Sequence, residues 1–341
     1  MHILNIMKNK IPILLITKDR PTLLEKVLLR LMKYTDWNEF DLWILDNYGT
    51  EANRKIINMF KYKYPFVNIY ATYYNQLAQI QNEVIKKLKA DFYIKIDDDI
   101  LVTENWTDAF VGVYERNYNT MSFGSVTVPI NGFGWVPFMD IMGITNEFKV
   151  QFPNTRINQD CMDVAIYKDK EVNEFIWNNC LDMDQTARTF IANQNGAFQD
   201  LICPHRYSIG AIVFGHKFWE QMGGWYVQSN FKGILRKQYV YKKFANLLTR
   251  FRADGPTHHK YRIAADILSE AYQGELGFEE REVFKYSQEK GLTIPVTTQG
   301  IVFHFSFGPV DQYLMNRVYH KIKFDPINGE DIAIRHQETI K

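Results

Sequence analysis

Three consecutive aspartates, Asp97, Asp98 and Asp99, close the segment DFYIKIDDD. Adjacent carboxylates repel one another, so folding alone gains little by grouping them, and a divalent cation removes the conflict. Hard oxygen ligands of this kind suit Mg2+ or Mn2+, which commonly share their coordination with substrate phosphates. The competing reading is a solvated turn that caps the next helix. A further acid, Asp46, closes DLWILD and is followed by Asn47. A carboxylate at a strand tip can accept hydrogen bonds from uracil or ribose, although Asp-Asn is also ordinary turn chemistry. The first apolar run is followed by Thr17-Lys18-Asp19-Arg20-Pro21. With neither Gly-x-Gly-x-x-Gly nor Gly-Lys-Ser/Thr there, a dinucleotide fingerprint and a P-loop are both disfavoured.

Such residues need elements that bring them to one edge. Residues 11–16 (IPILLI) form a continuous apolar run, as in a strand buried on both faces. Thr22, with Glu25 three residues on, predicts a capping box before the helical spacing of LLEKVLLRLMK. Strands are predicted at 41–45, 67–72 and 91–96, with helices from about 50 and over 76–88, the latter capped by Asn75. This strand–helix rhythm implies right-handed crossovers and a mostly parallel sheet, at whose carboxyl edge ligands bind. Beyond residue 122 the pattern loosens. SVTVPI reads as a strand, NGFGWVPF as a loop, and residues 140–200 as mainly helical. SIGAIVFGHKFWEQMGGW reads as a strand, a short helix and a Gly-Gly-Trp turn, and residues 293–305 as two short strands. The expectation is one compact α/β domain with a helical insertion at about 135–205 and an extension over 311–341.

The chain of 341 residues has 46% hydrophobic and 23% charged residues, a globular composition that excludes extensive disorder. A net charge of +1 gives no global attraction to nucleic acid or anionic membranes. Cys161, Cys180 and Cys203 are odd in number and match no zinc spacing, which suits a reducing compartment. No run approaches the roughly 20 apolar residues of a membrane span, and residues 11–16 read as a strand rather than a signal peptide. The expected location is cytoplasmic, or peripheral on a membrane, with a viral or phage origin left open.

Taken together, ILLITKDRP, WILDN and FYIKIDDDI resemble the nucleotide-binding half of a GT-A-fold glycosyltransferase, family-2-like, over about residues 10–130. The resemblance implies a Rossmann-like, mostly parallel sheet with a donor half (1–130) and an acceptor and catalytic half (131–310). It implies that Thr17, Lys18 and Arg20 at the first strand end help hold the donor nucleotide. Asp46 would contact the base and Asp97 the ribose side, with Asp98 beside it and Asp99 on a Mn2+ or Mg2+ ion. The donor would be a nucleotide diphosphate sugar, a UDP-sugar first. Further on, GELGFEEREVFKYSQEKGLTI resembles the stretch that usually carries Glu-Asp, then a helix and a glycine. Glu279-Glu280 stands at the Glu-Asp position, Gly291 at the glycine, and His304 in GIVFHF at a late metal-ligating histidine. Glu280 is the leading general base and Glu279 the alternative. Inversion by direct displacement is implied, with a retaining route open.

Each late residue also has a structural reading. His304 could be a satisfied strand residue, and acids opening a helix are favoured by its dipole. Asp266 is a further acid with a helical alternative, and His258-His259 reads as a loop pair. Trp225 could stack on an acceptor sugar or be core. Residues 231–262 contain nine Lys/Arg, one acid and interleaved aromatics, a pattern that could contact phosphates, an anionic membrane or an acidic glycan, or form a solvated helix face. The acceptor is therefore read as a saccharide or lipid-linked glycan, with hydroxymethylated bases of viral DNA as the alternative. A non-catalytic sugar-nucleotide-binding protein is a second alternative, disfavoured by the intact triplet. Should the acceptor be a polyanion, converting Lys242, Lys243, Arg250 and Arg252 to Glu is expected to weaken acceptor binding and leave donor binding unchanged. Each lost phosphate contact should lower the log–log salt slope by roughly one, measured by acceptor titration across salt concentrations.

Overall fold

The computed structural model describes residues 10–72, 75–161, 163–226, 240, 278–305 and 311–325. Four strands, β1 (Ile11–Thr17), β2 (Phe40–Asp46), β3 (Asn68–Ala71) and β4 (Phe92–Asp97), alternate with helices α1 (Pro21–Tyr34), α2 (Glu51–Lys63) and α3 (Leu77–Leu88). All seven residues of β1 are buried, so it lies at the centre, with β2 and β4 parallel on either side. Downstream come β5 (Ile100–Leu101), α4 (Trp106–Asn117) and β6 (Ser125–Thr127). The helices α5 (Trp135–Met142), α6 (Thr145–Gln151), α7 (Ala165–Lys168), α8 (Lys170–Asn178) and α9 (Met183–Ala192) follow. Next are β7 (Asp200–Ile202), β8 (Ala211–Gly215) and α10 (His216–Gln221), then α11 (Phe278–Lys290), β9 (Pro295–Ile301), β10 (Phe303–His304) and α12 (Asp311–Arg317). The main sheet runs β3-β2-β1-β4-β8, with β8 antiparallel to β4. A second sheet runs β6-β9-β7, and β10 pairs with β5.

Strand alternation divides the apolar residues between two cores. Ile13, Leu15, Ile44, Ile94 and Ile96 face one core, which is covered by Leu24, Val27, Leu28 and Leu31 of α1 and by Ile57 and Phe60 of α2. Leu14, Ile16, Leu45 and Tyr93 face the other, against Ile80, Val84 and Ile85 of α3 and Phe218 and Trp219 of α10. A parallel sheet covered on both faces is the architecture expected from the sequence.

Several local expectations change. The capping box at Thr22 does not form: α1 starts at Pro21, Arg20 is its N-cap, and no side chain caps it. Proline's fixed φ and missing N–H suit a first helical position, so the helix starts two residues earlier. Asn75 does not cap α3, because its Oδ1 accepts from Asn47 Nδ2 at 3.0 Å; Gln76 stands at the N-cap instead. Thr50 does cap α2, accepting from Asn53 N at 3.3 Å. The expected loop NGFGWVPF turns helical at Trp135, after Asn131 Oδ1 accepts from the N–H groups of Phe133 and Gly134. The insertion is helical as expected, and β7 closes it by pairing antiparallel with β9.

Arg30 ties the insertion to the sheet domain. Its side chain is fully buried in α1. It donates to Val102 O at 2.6 Å, to Phe324 O at 3.0 Å and to the Asp184 carboxylate of α9. Removing one partner of a buried ion pair strands the other charge, so Arg30→Ala should destabilise the fold by about 3–5 kcal/mol. Urea denaturation with an unchanged m-value checks this.

Candidate active site

The parallel register sets the acidic residues side by side at the carboxyl edge. Thr17 pairs with Asp46, and Ile16 with Asp97. Because β2 and β4 leave β1 on opposite sides, the crevice beyond these strand ends is the switch point where open α/β sheets bind ligands.

Asp98 and Asp99 turn inward from the end of β4. Thr17 Oγ1 donates to Asp98 Oδ2 at 2.7 Å, and Thr17 in turn accepts from Asn53 Nδ2 at 2.6 Å. Lys18 N–H also reaches Asp98 Oδ2, at 3.3 Å, and the Arg20 guanidinium lies 3.9 Å from Oδ1. Burial and the neighbouring Asp99 charge push the Asp98 carboxyl up to about 7, against the pull of Thr17 and Arg20. At Asp99, Oδ2 is shared by Arg20 and by His304 Nε2, the latter at 3.1 Å. Burial opposes ionisation of Asp99, but His304 and Arg20 outweigh it and hold the carboxyl below its ordinary range. Burial likewise opposes a charged His304, yet Asp99 raises its pKa. Asp99 and His304 are 205 positions apart and meet because β10 pairs with β5 in the register Ile100↔His304.

Asp46 is buried, with Gly49 N donating to Oδ1 at 2.5 Å and Arg54 Nε to Oδ2 at 2.9 Å. A Cβ at Gly49 would stand 2.4 Å from Asp46 Oδ1, so a side chain there would have to displace the carboxylate. Asn47 Oδ1 accepts from Gln76 N at 2.8 Å and joins the α3 entry to the same edge.

Glu280 approaches from the second half of the chain, near the start of α11. Its Oε1 accepts from Ile209 N at 3.2 Å, and Arg206 Nε lies 3.7 Å from Oε2. Burial pushes the Glu280 carboxyl above the usual range, while the Ile209 N–H, Arg206 and Lys95 pull it back. The next residue, Gly210, accepts from Asp97 N at 2.8 Å. A Cβ at Gly210 would meet Asp97 Oδ2 at 3.3 Å and His304 Cε1 at 3.8 Å, so these groups share one corner of the crevice. Gly291 ends α11 at φ +64°, a left-handed position suited to glycine.

The structure therefore brings Thr17, Lys18, Arg20, Asp46, Asp97, Asp98, Asp99, Glu280 and His304 to one end of the sheet. Trp225 is core: it is 2% exposed, packs edge-on to Phe214 at 4.9 Å, and has its backbone fixed by Asn82. The two left-handed glycines before it, Gly223 and Gly224, turn the chain inward. The Glu279 side chain, Asp266, His258-His259 and Lys242, Lys243, Arg250 and Arg252 lie outside the described residues. The sequence reading missed Lys95, Asn53, Arg54 and Arg206. Lys95 carried a signal, a lysine inside the apolar alternation of FYIKID; the other three had none, since nothing local tells a paired cation or amide from a solvated one.

Among the described residues, no three His, Cys, Asp or Glu side chains form a ready-made metal-ligand set. The donors present still suit a hard divalent cation that takes its remaining oxygens from substrate phosphates. Asp99 Oδ1 is buried without a hydrogen-bond partner, and His304 borders the same carboxylate. Among the described residues no helix is long and apolar enough to cross a membrane.

Residues 13–170 match the family described as Glycosyl transferase family 2. The family likeness and the mostly parallel α/β fold read from the sequence are thus borne out. No curated protein matches the sequence. Among solved structures, S. aureus TarS 1-349 in complex with UDP-GlcNAc is similar at 14% identity and a TM-score of 0.31, covering 35% of this chain and 34% of that one. The mannosyltransferase PcManGT from Pyrobaculum calidifontis, in complex with GDP-Man and Mn2+, is similar at 10% identity and a TM-score of 0.37, covering 84% of this chain and 88% of that one. The chain thus spans about a third of the length of the TarS structure it matches.

Proposed function

We propose that this chain, whose residues 13–170 carry the family 2 glycosyltransferase match, transfers a sugar from a nucleotide diphosphate sugar to an acceptor hydroxyl. The observation that carries the reading is the meeting of Asp97, Asp99, His304 and Glu280, from three distant segments, at the switch-point crevice. In this reading Asp46 and the Thr17–Arg20 segment receive the nucleoside of a UDP-sugar, and Asp97 faces the ribose. Arg54 already occupies one oxygen of Asp46, so base recognition at this point uses the pair rather than a lone carboxylate.

Asp99 and His304 are the residues that would hold Mn2+ or Mg2+, which when bound acts as a Lewis acid on the leaving diphosphate. Arg20 adds a fixed positive charge beside the same carboxylates, and Thr17 keeps Asp98 turned away from the crevice. Glu280 removes the proton of the attacking hydroxyl. Its carboxyl, raised by burial, is a stronger base than an ordinary carboxylate once deprotonated. Attack opposite the leaving diphosphate inverts the anomeric centre. A glycan or lipid-linked acceptor is favoured because the net charge is near zero. The basic stretch 231–262 is the feature that supports hydroxymethylated DNA instead. Label from a nucleotide sugar appearing on DNA and not on oligosaccharide would select the latter.

Calorimetry should show UDP binding that requires Mn2+ and is lost with EDTA or in Asp99→Ala; binding indifferent to both would remove the metal assignment. Glu280→Gln should lower kcat about 10²–10⁴-fold with donor affinity nearly intact. Turnover retained in Glu280→Gln and lost in Glu279→Gln would move the base to Glu279. Since Glu280 must be deprotonated to act and burial raises its pKa above the ordinary carboxylate range, activity should fall as the pH drops through that elevated range. A pH–kcat profile with its acidic limb at or below the ordinary carboxylate range would contradict the assignment.

A further inference from the structure

Strand alternation places Tyr93, Lys95 and Asp97 on one face of β4, where Tyr93 belongs to the apolar core. The Lys95 side chain is 1% exposed. An ammonium is strongly hydrated and costly to bury, and an apolar side chain of similar length would fill this layer without that cost. Its two partners suggest what it does. Nζ lies 2.7 Å from Asp97 Oδ1 and donates to Ile209 O at 2.6 Å. The N–H of the same Ile209 donates to Glu280 Oε1, and the following carbonyl, Gly210 O, accepts from Asp97 N. One buried cation thus holds Asp97 directly and Glu280 through a single residue.

We propose that Lys95 is a positioning residue that fixes Asp97 and Glu280 relative to each other across the crevice and supplies the positive charge both carboxylates face. The inference rests on the reading above, in which Asp97 serves the donor and Glu280 the acceptor. Among the described residues, Arg206 and Lys95 favour the ionised form of Glu280 and Asp97 opposes it; Tyr167 is also near enough to feel its charge. A lysine that served only to tie β4 to the 207–210 segment would affect stability alone. One that orients and charges the site also sets how Glu280 titrates and how Asp97 meets the donor.

The test uses the full chain with Lys95→Met, which keeps the length and removes the charge, and Lys95→Gln as a neutral polar variant should Met not fold. Glu280 titration is followed by 13C-carboxyl NMR, with its resonance assigned through Glu280→Gln. Losing the cation should move the Glu280 titration upward by at least about half a pH unit. Calorimetry with UDP and Mn2+ should show affinity weakened about tenfold, the effect of one misplaced charged contact. Lys95→Arg, which keeps the charge, should recover much of the titration shift. An unchanged Glu280 titration in a folded Lys95→Met or Lys95→Gln protein overturns the proposal, whatever happens to stability. Should the wild-type chain bind no UDP with Mn2+, the donor reading fails, while the NMR titration still decides whether Lys95 governs Glu280.

Discussion

The mutual repulsion of Asp97, Asp98 and Asp99 is the constraint around which the rest of this molecule is arranged. Three carboxylates at the end of one buried strand cannot all stay ionised unless positive charge and donors surround them. The chain meets this with a different solution at each residue. Lys95 rises from the core beneath Asp97; Thr17 and the Lys18 N–H hold Asp98, which burial leaves with a raised pKa; Arg20 and His304 share one oxygen of Asp99. Each of these groups arrives from the end of β1, the body of β4 or β10. The folded sheet is therefore the condition under which the triplet can exist, and the triplet is in turn what gives the crevice its chemistry.

That arrangement explains why the second half of the chain packs where it does. β8 pairs antiparallel along the free side of β4, which carries residues 209 and 210 to the strand end beside Asp97. β10 pairs with the two-residue β5 immediately after the triplet, which sets His304 against Asp99. The helical insertion is locked to α1 through Arg30, and its Tyr167 comes near enough to Glu280 to feel that charge. The architecture sets an edge made by the ends of β1, β2 and β4 against an opposing wall built by α11 and the 206–210 segment.

Much of this was legible in the sequence where physical pressure is local. Continuous apolar runs specify buried parallel strands, and i, i+3, i+4 spacing specifies the helices that cover them. The order of strand-end acids placed Asp46 and Asp97–Asp99 at one edge, since the carboxyl ends of parallel strands share that edge by construction. The family likeness placed Glu280 and His304, which no periodicity could have done. Helix starts were less legible: Pro21 and the Asn47–Asn75 bond overrode side-chain caps that were chemically reasonable at Thr22 and Asn75.

What the sequence by itself determined was the identity of the strand-end acids and the layer architecture, because residue type and period act within a few positions along the chain. What only the tertiary structure decided was which groups face one another. Trp225 became core rather than a sugar platform because two left-handed glycines turn it onto Phe214, and nothing in the tripeptide states which side of the turn is solvent. Arg54 became the partner of Asp46, and Lys95 the buried cation between Asp97 and Ile209, for the same reason. Charge pairing depends on distances of a few ångströms between segments that can lie more than two hundred residues apart, and those distances exist only once strand register has been set.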